Sequence, residues 1–273
     1  MRRLTRLLQR TAHHLLPLLL PFRCAACGRL GAAATAAFPA EDPHGIGPAR
    51  EPLMRLLCPA CRDTIVPVVP PLCSTCGIPF APAAGDDHRC GECVSSPMPL
   101  ARMRAAAAYQ GAMVRLVRQL KYHQRVHLAA AMRPWLAAMY HHHWRPGKVE
   151  LVVPVPLHRR RLRQRGYNQA WLLARQVFGD KSAPQAPVLR RDVLVRHRDT
   201  PAQTGLAGDQ RRQNLHGAFS VSDRRDVSEK HVLVVDDVVT TGETIRACAD
   251  ALLAAGARRV DALSMARTFR RLQ

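Results

Sequence analysis

One stretch decides the fold of this chain: Val232-Leu233-Val234-Val235-Asp236-Asp237-Val238-Val239-Thr240-Thr241-Gly242. Its four consecutive apolar residues are typical of a buried strand in a parallel sheet that is covered on both faces. Apolar residues then recur at helical spacing, which predicts a helix from Glu243 to about Ala255 with Gly256 as its stop signal. The connection between strand and helix therefore lies at the carboxyl end of a parallel strand, where open α/β sheets bind ligands.

The residues of this connection suit a ligand that carries both a phosphate and a sugar. A helix N-terminus presents unpaired amides and a partial positive charge to an anion, and Gly242 lets the backbone approach it closely. Three hydroxyl donors lie beside it: Thr240, Thr241 and Thr244. Asp236 and Asp237 repel phosphate, but their carboxylates suit vicinal ribose hydroxyls or Mg²⁺.

Residues 232–242 closely resemble the phosphoribosyl-pyrophosphate (PRPP) motif of type I phosphoribosyltransferases at every position. The resemblance implies that Asp236 and Asp237 are the catalytic pair and hold the ribose 2′- and 3′-hydroxyls, while the loop holds the 5′-phosphate. The implied PRPP-binding set is Asp236, Asp237, Val238, Val239, Thr240, Thr241, Gly242 and Thr244. A Walker B strand also ends in paired acids, but it needs a Walker A loop, G-x-x-x-x-G-K-[ST], which the sequence lacks. The least specific alternative is an ordinary strand and helix with a polar connection.

Eight of the nine cysteines form four C-x-x-C pairs in the first third or so of the chain: Cys24/Cys27, Cys58/Cys61, Cys73/Cys76 and Cys90/Cys93. A disulfide scaffold expects a secreted chain, and a redox C-x-x-C comes singly, so the pattern predicts two structural Zn²⁺ sites with four thiolates each. Chain order assigns the first two pairs to one ion and the last two to the other, although interleaved pairing is an alternative. Cys248 lies on the apolar stripe of the predicted helix and is expected in the core.

A chain of 273 residues is long enough for one α/β domain and a small module. We expect an N-terminal amphipathic helix over residues 1–22, a double zinc ribbon over 23–96 and the α/β domain over 100–273. The N-terminus mimics a signal peptide, but its apolar run is short, is broken by Pro17 and Pro21, and precedes no clear cleavage site. We therefore predict a cytoplasmic protein with no stable membrane span, with surface contact of the helix with a membrane as the alternative.

A formal net charge of +21 indicates polyanionic partners: nucleic acid, pyrophosphate or an acidic lipid surface. A second central strand is predicted over residues 151–156, and an arginine-rich loop follows it before a helix over 168–178. Arginine binds phosphate oxygens bidentately, so the candidates for a pyrophosphate or polyanion clamp are Arg159, Arg160, Arg161 and Arg165. The alternative is a basic surface turn.

The remaining pattern predicts strands over 102–109 and 260–265, and helices over 112–121 and 127–140, the latter interrupted near Pro134. His141, His142 and His143 follow this second helix and are expected as its solvated end, not as a metal site. Residues 191–219 have weak periodicity, which is typical of a lid or binding loop.

The whole order of features resembles the ComF family over essentially the full chain. The resemblance rests on the cysteine pairs, the PRPP motif and four further runs: Val153-Pro154-Val155-Pro156-Leu157, Arg165-Gly166-Tyr167-Asn168-Gln169, Thr200-x-x-Gln203-x-x-Leu206 and Arg211-x-x-Asn214-x-x-Gly217-Ala218-Phe219. It implies a parallel-sheet, type I phosphoribosyltransferase-like α/β domain preceded by a small double zinc ribbon.

The resemblance also implies binding of Mg²⁺ with PRPP and transfer of its phosphoribosyl group to an acceptor that the sequence does not identify. Some ComF members act in natural competence, which would bring single-stranded DNA and DNA-uptake proteins as partners. A non-enzymatic PRPP-sensing protein that binds nucleic acid is the alternative. A structural adaptor in DNA import is a further one, and in that protein Asp236 and Asp237 would be dispensable.

Overall fold

The structure is a computed structural model and describes residues 22–31, 47–81, 85–180, 185–198 and 217–269, without the side chains of residues 47–50. Apart from Phe22, the predicted N-terminal amphipathic helix lies outside the described residues. Most of the predicted lid, residues 199–216, also lies outside them.

The cysteine pairs lie among short elements. β1 (Phe22–Arg23) pairs antiparallel with β2 (Leu30–Gly31), and three helices follow: α1 (Gly47–Met54), α2 (Pro59–Arg62) and α3 (Gly91–Ser95). Cys58 and Cys90 occupy the N-cap positions of α2 and α3. Each of these two helices therefore begins inside a C-x-x-C pair and turns both thiols toward the same point.

The second part of the chain forms a sheet of five parallel strands in the order β3-β9-β8-β4-β5. The strands from here to the C-terminus are β3 (Arg102–Ala108), β4 (Leu151–Pro154), β5 (Val188–Leu189), β6 (Leu194–Arg196), β7 (Phe219–Val221), β8 (His231–Val239) and β9 (Arg259–Arg267). β6 and β7 form a separate antiparallel pair. The helices are α4 (Gly111–Tyr122), α5 (His127–His143), α6 (Arg159–Arg165), α7 (Gln169–Phe178) and α8 (Glu243–Ala254), with a 3₁₀ turn at Arg224–Asp226.

Helices cover both faces of this sheet, as the continuous apolar strands predict. On one face, Leu233 and Val235 of β8 pack in a core with α4, α5, α7 and the first cysteine cluster, which is formed by the pairs Cys24/Cys27 and Cys58/Cys61. On the other face, Val232 and Val234 pack with α8, the β6–β7 pair and the second cysteine cluster. The chain therefore has the predicted α/β architecture, and the two cysteine clusters lie against opposite faces of the sheet.

Three predicted elements differ in detail. α5 continues through Pro134 as far as His143, because its apolar face is buried and outweighs the one hydrogen bond that proline removes. The predicted arginine-rich loop is wrong, since Arg159–Arg165 form the helix α6, which ends where Gly166 adopts a left-handed φ of 81°. β8 extends to Val239, so the two acids lie within the strand and not in the connection after it.

No helix among the residues that the structure describes is both long and apolar enough to cross a membrane.

Candidate functional site

The two acids lie near the carboxyl end of β8, on opposite faces of the sheet. Adjacent strand residues point to opposite faces. The Oδ2 atom of Asp237 lies 2.8 Å from Nζ of Lys121, in the last turn of α4. Asp236 lies on the α8 face, close to Cys248. Burial of Cys248 raises the pKa of its thiol, and the charge of Asp236 adds to this rise. The Asp236 Oδ1 atom accepts a hydrogen bond from the Asp237 amide at 2.8 Å.

Burial controls the charge of this pair. Burial raises the pKa of Asp236 well above its ordinary value, and the adjacent Asp237 carboxylate adds to the rise while Lys121 opposes it. Burial by itself lowers the pKa of Lys121, but the Asp237 carboxylate outweighs burial and raises it. The site therefore contains a charged lysine in contact with Asp237 and an Asp236 that is held toward its neutral form.

The connection from β8 to α8 is exposed at its two threonines and closely packed at its glycine. Thr240 and Thr241 are exposed, Thr244 is half-buried, and Gly242 is buried with φ at 86°. A Cβ atom at Gly242 would lie 3.3 Å from the Cε atom of Met98, so space and backbone conformation both favour glycine. The Arg246 amide donates to the Gly242 carbonyl, as expected for the first helical bond of α8. The amides that precede it in the helix have no carbonyl partner within the helix.

A cationic cleft of about 270 Å³ is lined in part by Lys121, the partner of Asp237. The end of α4 contributes Lys121, Tyr122 and Gln124, and α6 with its following turn contributes Arg161, Gln164, Arg165 and Tyr167. Arg161 and Arg165 are four residues apart, so the helix places both on its cleft-facing side. Arg159 and Arg160 are exposed and do not line the cleft. Thus the structure brings together two of the four predicted arginines and Tyr167 of the quoted run, and it adds Lys121, Tyr122, Gln124 and Gln164, which no sequence motif indicated.

The run Arg165-Gly166-Tyr167-Asn168-Gln169 builds the wall of this cleft. The Tyr167 hydroxyl donates to the Leu120 carbonyl, which ties the turn to α4. The Asn168 side chain accepts from the amides of residues 170 and 171 as the N-cap of α7, and donates to the Val155 carbonyl at 2.9 Å. Arg165 donates to the Gln169 side chain and lies 5.2 Å from the centre of the Tyr122 ring. These contacts fix Arg165 at the cleft.

Two groups of four cysteines have their sulfur atoms gathered within 4.8 Å: Cys24, Cys27, Cys58 and Cys61 in one, and Cys73, Cys76, Cys90 and Cys93 in the other. The Cys27–Cys58 and Cys76–Cys90 sulfur separations are 3.8 Å and 3.7 Å. A tetrahedral zinc ion with bonds of about 2.3 Å sets its sulfurs about 3.8 Å apart, whereas a disulfide needs about 2.05 Å. The donor set therefore fits two zinc ions, with the pairs grouped in chain order.

Backbone amides and arginines around these clusters suit anionic sulfurs. Burial raises the pKa of Cys24 and Cys73, but amide hydrogen bonds outweigh it and lower each to about 6. Arg115 donates to the Cys61 sulfur at 3.4 Å. Arg267 is buried beside the second cluster. Burial raises the pKa of Cys76 to about 11, and the charge of Arg267 opposes this rise. The Nε and Nη1 atoms of Arg267 make no hydrogen bond to described residues. A tetrathiolate zinc site carries a net negative charge, which the exposed Arg115 and the buried Arg267 would balance.

The described part of the predicted lid forms strands that belong to the core. β6 and β7 pair with each other and pack against α8, and Phe219 is buried in the core that they share.

Comparison with known proteins identifies relatives over most of the chain. Residues 170–268 match the family model described as "Phosphoribosyl transferase domain". "DNA utilization protein YhgH" of Escherichia coli K12 is 33% identical over 201 residues, which cover 72% of this chain and 85% of the relative. The protein of the same description from Salmonella typhimurium LT2 is 33% identical over 216 residues, covering 78% of this chain and 91% of the relative. "Competence protein F" of Haemophilus influenzae Rd is 28% identical over 215 residues, covering 77% and 90%.

A solved structure titled "Structure of the allosteric regulatory enzyme of purine biosynthesis" aligns with 51% of this chain and 25% of its own, at 21% identity and a TM-score of 0.30. The family assignment rests on the sequence relatives, which agree with the parallel sheet, the matched domain and the two cysteine clusters. The chain belongs to the ComF family and carries a phosphoribosyltransferase-like domain after its cysteine clusters.

Proposed function

We propose that this protein binds PRPP with Mg²⁺ at the carboxyl edge of its sheet and transfers the phosphoribosyl group to an acceptor. One observation carries the proposal: Lys121 both contacts Asp237 and lines the cationic cleft, which supports a single site that joins Asp237 to the cleft. PRPP has sugar hydroxyls beside a pyrophosphate group, and this site offers carboxylates beside cations.

Each part of PRPP has a counterpart among these residues. The 5′-phosphate would bind Thr240, Thr241, Gly242 and Thr244 at the start of α8, with Val238 and Val239 supporting the loop. The ribose hydroxyls would donate to Asp236 and Asp237. The pyrophosphate would lie in the cleft against Arg161 and Arg165, while Arg159 and Arg160 face solvent.

The residues also fit Mg²⁺. The ion prefers oxygen ligands; Asp237 supplies carboxylate oxygens next to Lys121 of the cationic cleft, and Asp236 supplies them from the adjacent strand position. When bound with PRPP, the ion would neutralise charge on the leaving pyrophosphate. The contribution of the protein is positional and electrostatic: the acids orient the ribose, and the arginines stabilise the pyrophosphate as its bond to the anomeric carbon breaks. The described β6–β7 pair, which packs against α8, would help to exclude water from the site.

α6 has arginines on its cleft-facing side and on its exposed side, which allows a matched test of their roles in PRPP binding. Replacing Arg161 and Arg165 by alanine should weaken PRPP binding by about 100-fold or more, since each charge-assisted hydrogen bond contributes about 1.5–3 kcal/mol and two arginines are removed. Replacing Arg159 and Arg163 removes the same charge from the exposed side of the same helix and should change affinity less than about threefold. Calorimetric titration of both double variants with Mg·PRPP makes the comparison. Equal losses in both would mean that the cleft has no specific role.

A second candidate function has its own support. α6 exposes Arg159, Arg160 and Arg163 on one side, and on its other side Arg165 lies beside the Tyr122 side chain, which is 63% exposed. Exposed cations beside an aromatic ring suit single-stranded nucleic acid, and two groups of relatives are described by DNA utilization and competence. This function would be a PRPP-sensing, DNA-binding protein or an adaptor in DNA import. It predicts steeply salt-dependent binding to single-stranded DNA, whereas the transferase predicts release of pyrophosphate when the right acceptor is supplied.

We also propose that the domains are divided at residues 22–23 and 96–100. We propose that the protein is located in the cytoplasm. Zinc-bound thiolates suit a compartment that keeps cysteine reduced. Fractionation of cells that produce the full chain would test the location, and limited proteolysis of the zinc-loaded protein would test the boundaries.

A further inference from the structure

We propose that Lys121 is a positioning residue that changes partners when the ligand binds, from the Asp237 carboxylate to the pyrophosphate group. The inference rests on the proposed function and deepens it, since it makes occupation of the cleft control the availability of Asp237. Nothing in the PRPP motif or the arginine run identifies this lysine.

The position of Lys121 permits the exchange. Its side chain is 20% exposed and Nζ lies 2.8 Å from Asp237 Oδ2, whereas Asp237 is 2% exposed. The same side chain lines the cleft together with Arg161 and Arg165. Among the described residues, Lys121 is the one cation that forms an ion pair with Asp237. A pyrophosphate in the cleft would therefore lie within the reach of a flexible four-carbon side chain that now contacts the carboxylate.

The helix that carries Lys121 is held in place, so the exchange requires movement of the side chain alone. Gln119 donates to the carbonyls of Ala25 and Ala26 in the first cysteine cluster, and Arg115 donates to the Cys61 sulfur. The apolar face of α4, including Leu116 and Leu120, is fully buried. The Lys121 ammonium also lies at the C-terminal end of the helix, where the helix dipole favours a cation.

Charge and hydrogen bonding explain why the partners would change together. Without a ligand, the Asp237 carboxylate needs Lys121, because it is 2% exposed and the buried Asp236 side chain offers it no cation. With a ligand, ribose hydroxyls donate to the carboxylate and replace that contact, while pyrophosphate offers the ammonium a more highly charged partner. Binding of pyrophosphate and binding of the sugar phosphate should therefore strengthen each other.

The test uses the two halves of PRPP, inorganic pyrophosphate and ribose 5-phosphate, with Mg²⁺ and zinc-loaded full chain. In the native protein, saturating pyrophosphate should tighten ribose 5-phosphate binding by about fivefold or more, within the usual range of coupling between sites. In Lys121→Met the ratio of ribose 5-phosphate affinities with and without pyrophosphate should fall to about one. Pyrophosphate alone should bind to this variant at least about tenfold more weakly than to the native protein. Arg118→Met removes the same charge from an exposed position one turn earlier in α4 and should keep the enhancement.

A second variant tests the other partner of the ion pair. Asp237→Asn releases Lys121, so pyrophosphate alone should bind several-fold more tightly to it than to the native protein. Thermal melts establish that each variant is folded. Three results would each overturn the exchange and leave the proposed function standing. They are binding of both halves without enhancement in the native protein, enhancement that survives in Lys121→Met, and weaker pyrophosphate binding by Asp237→Asn. Failure of the folded native protein to bind either half would instead overturn the proposed function, and the exchange with it.

Discussion

Removal of zinc should unfold the region of the cysteine clusters and destabilise the sheet that it covers. Structural zinc in four-thiolate sites contributes about 10–16 kcal/mol of apparent binding free energy at neutral pH, which is comparable with the whole stability of a domain. Cys24 and Cys61 pack in the same core as α4 and α5, and Cys73, Cys76 and Cys93 pack against β4 and β8. We therefore expect a strong chelator to release two zinc ions per chain and to lower the melting temperature by more than about 10 °C.

Single cysteine variants test the grouping of the ligands. Cys27→Ser should leave about one zinc ion per chain, since Cys27 belongs to the first cluster alone. Cys248→Ala should keep both ions, because Cys248 is buried against the sheet and belongs to neither cluster. Metal content measured by mass spectrometry or a chromogenic dye decides the matter. A native protein that contains no zinc when purified without chelator, or a Cys27→Ser variant that keeps two ions, would contradict the zinc assignment.

Replacing Asp236 by asparagine should stabilise the protein at neutral pH and abolish PRPP binding. A carboxyl whose pKa is raised in the folded state reduces stability as the pH rises from its unfolded pKa, about 3.9, to its folded pKa. The gain from Asp236→Asn should therefore be absent below about pH 4 and grow with pH. It should reach about 1–3 kcal/mol, the usual cost of an uncompensated buried polar group. Asparagine keeps the Oδ1 acceptor for the Asp237 amide, so this hydrogen bond is retained.

Urea unfolding between pH 4 and pH 8 measures this effect. Asp86→Asn, at an exposed position between the third and fourth cysteine pairs, makes the same change of charge and should show less than about 0.5 kcal/mol at any pH. Loss of stability in Asp236→Asn at pH 7 would mean that the buried carboxylate is well compensated and that its placement serves the fold. A stabilised variant that no longer binds PRPP is the pattern expected of a residue retained for function.

The central elements of the fold could be predicted because their signals are local. The apolar run of β8, the stripe of α8 and Gly256 define a strand–connection–helix unit, and the four C-x-x-C pairs give the clusters in chain order. The helix over Arg159–Arg165 was missed because its ends depend on the His158 cap and the left-handed Gly166, which outweigh a composition typical of a solvated loop.

The site was less predictable than the fold because its parts are distant in sequence. Lys121 and Asp237 are separated by more than one hundred residues, and their contact depends on how α4 packs against the sheet. At the sequence level Lys121 is an ordinary polar residue on the side of α4 away from its apolar stripe. The placement of Arg161 and Arg165 at the cleft, away from Arg159 and Arg160, likewise depends on the helical periodicity of a segment predicted as a loop.

The most direct test of the central claim is calorimetric titration of Mg·PRPP into zinc-loaded native protein and into the Asp236→Asn/Asp237→Asn double variant. Our account predicts saturable one-to-one binding by the native protein, competition by inorganic pyrophosphate, and a loss of affinity of at least about 100-fold in the folded double variant. Absence of PRPP binding by folded, zinc-loaded native protein would contradict it, and so would equal binding by the double variant.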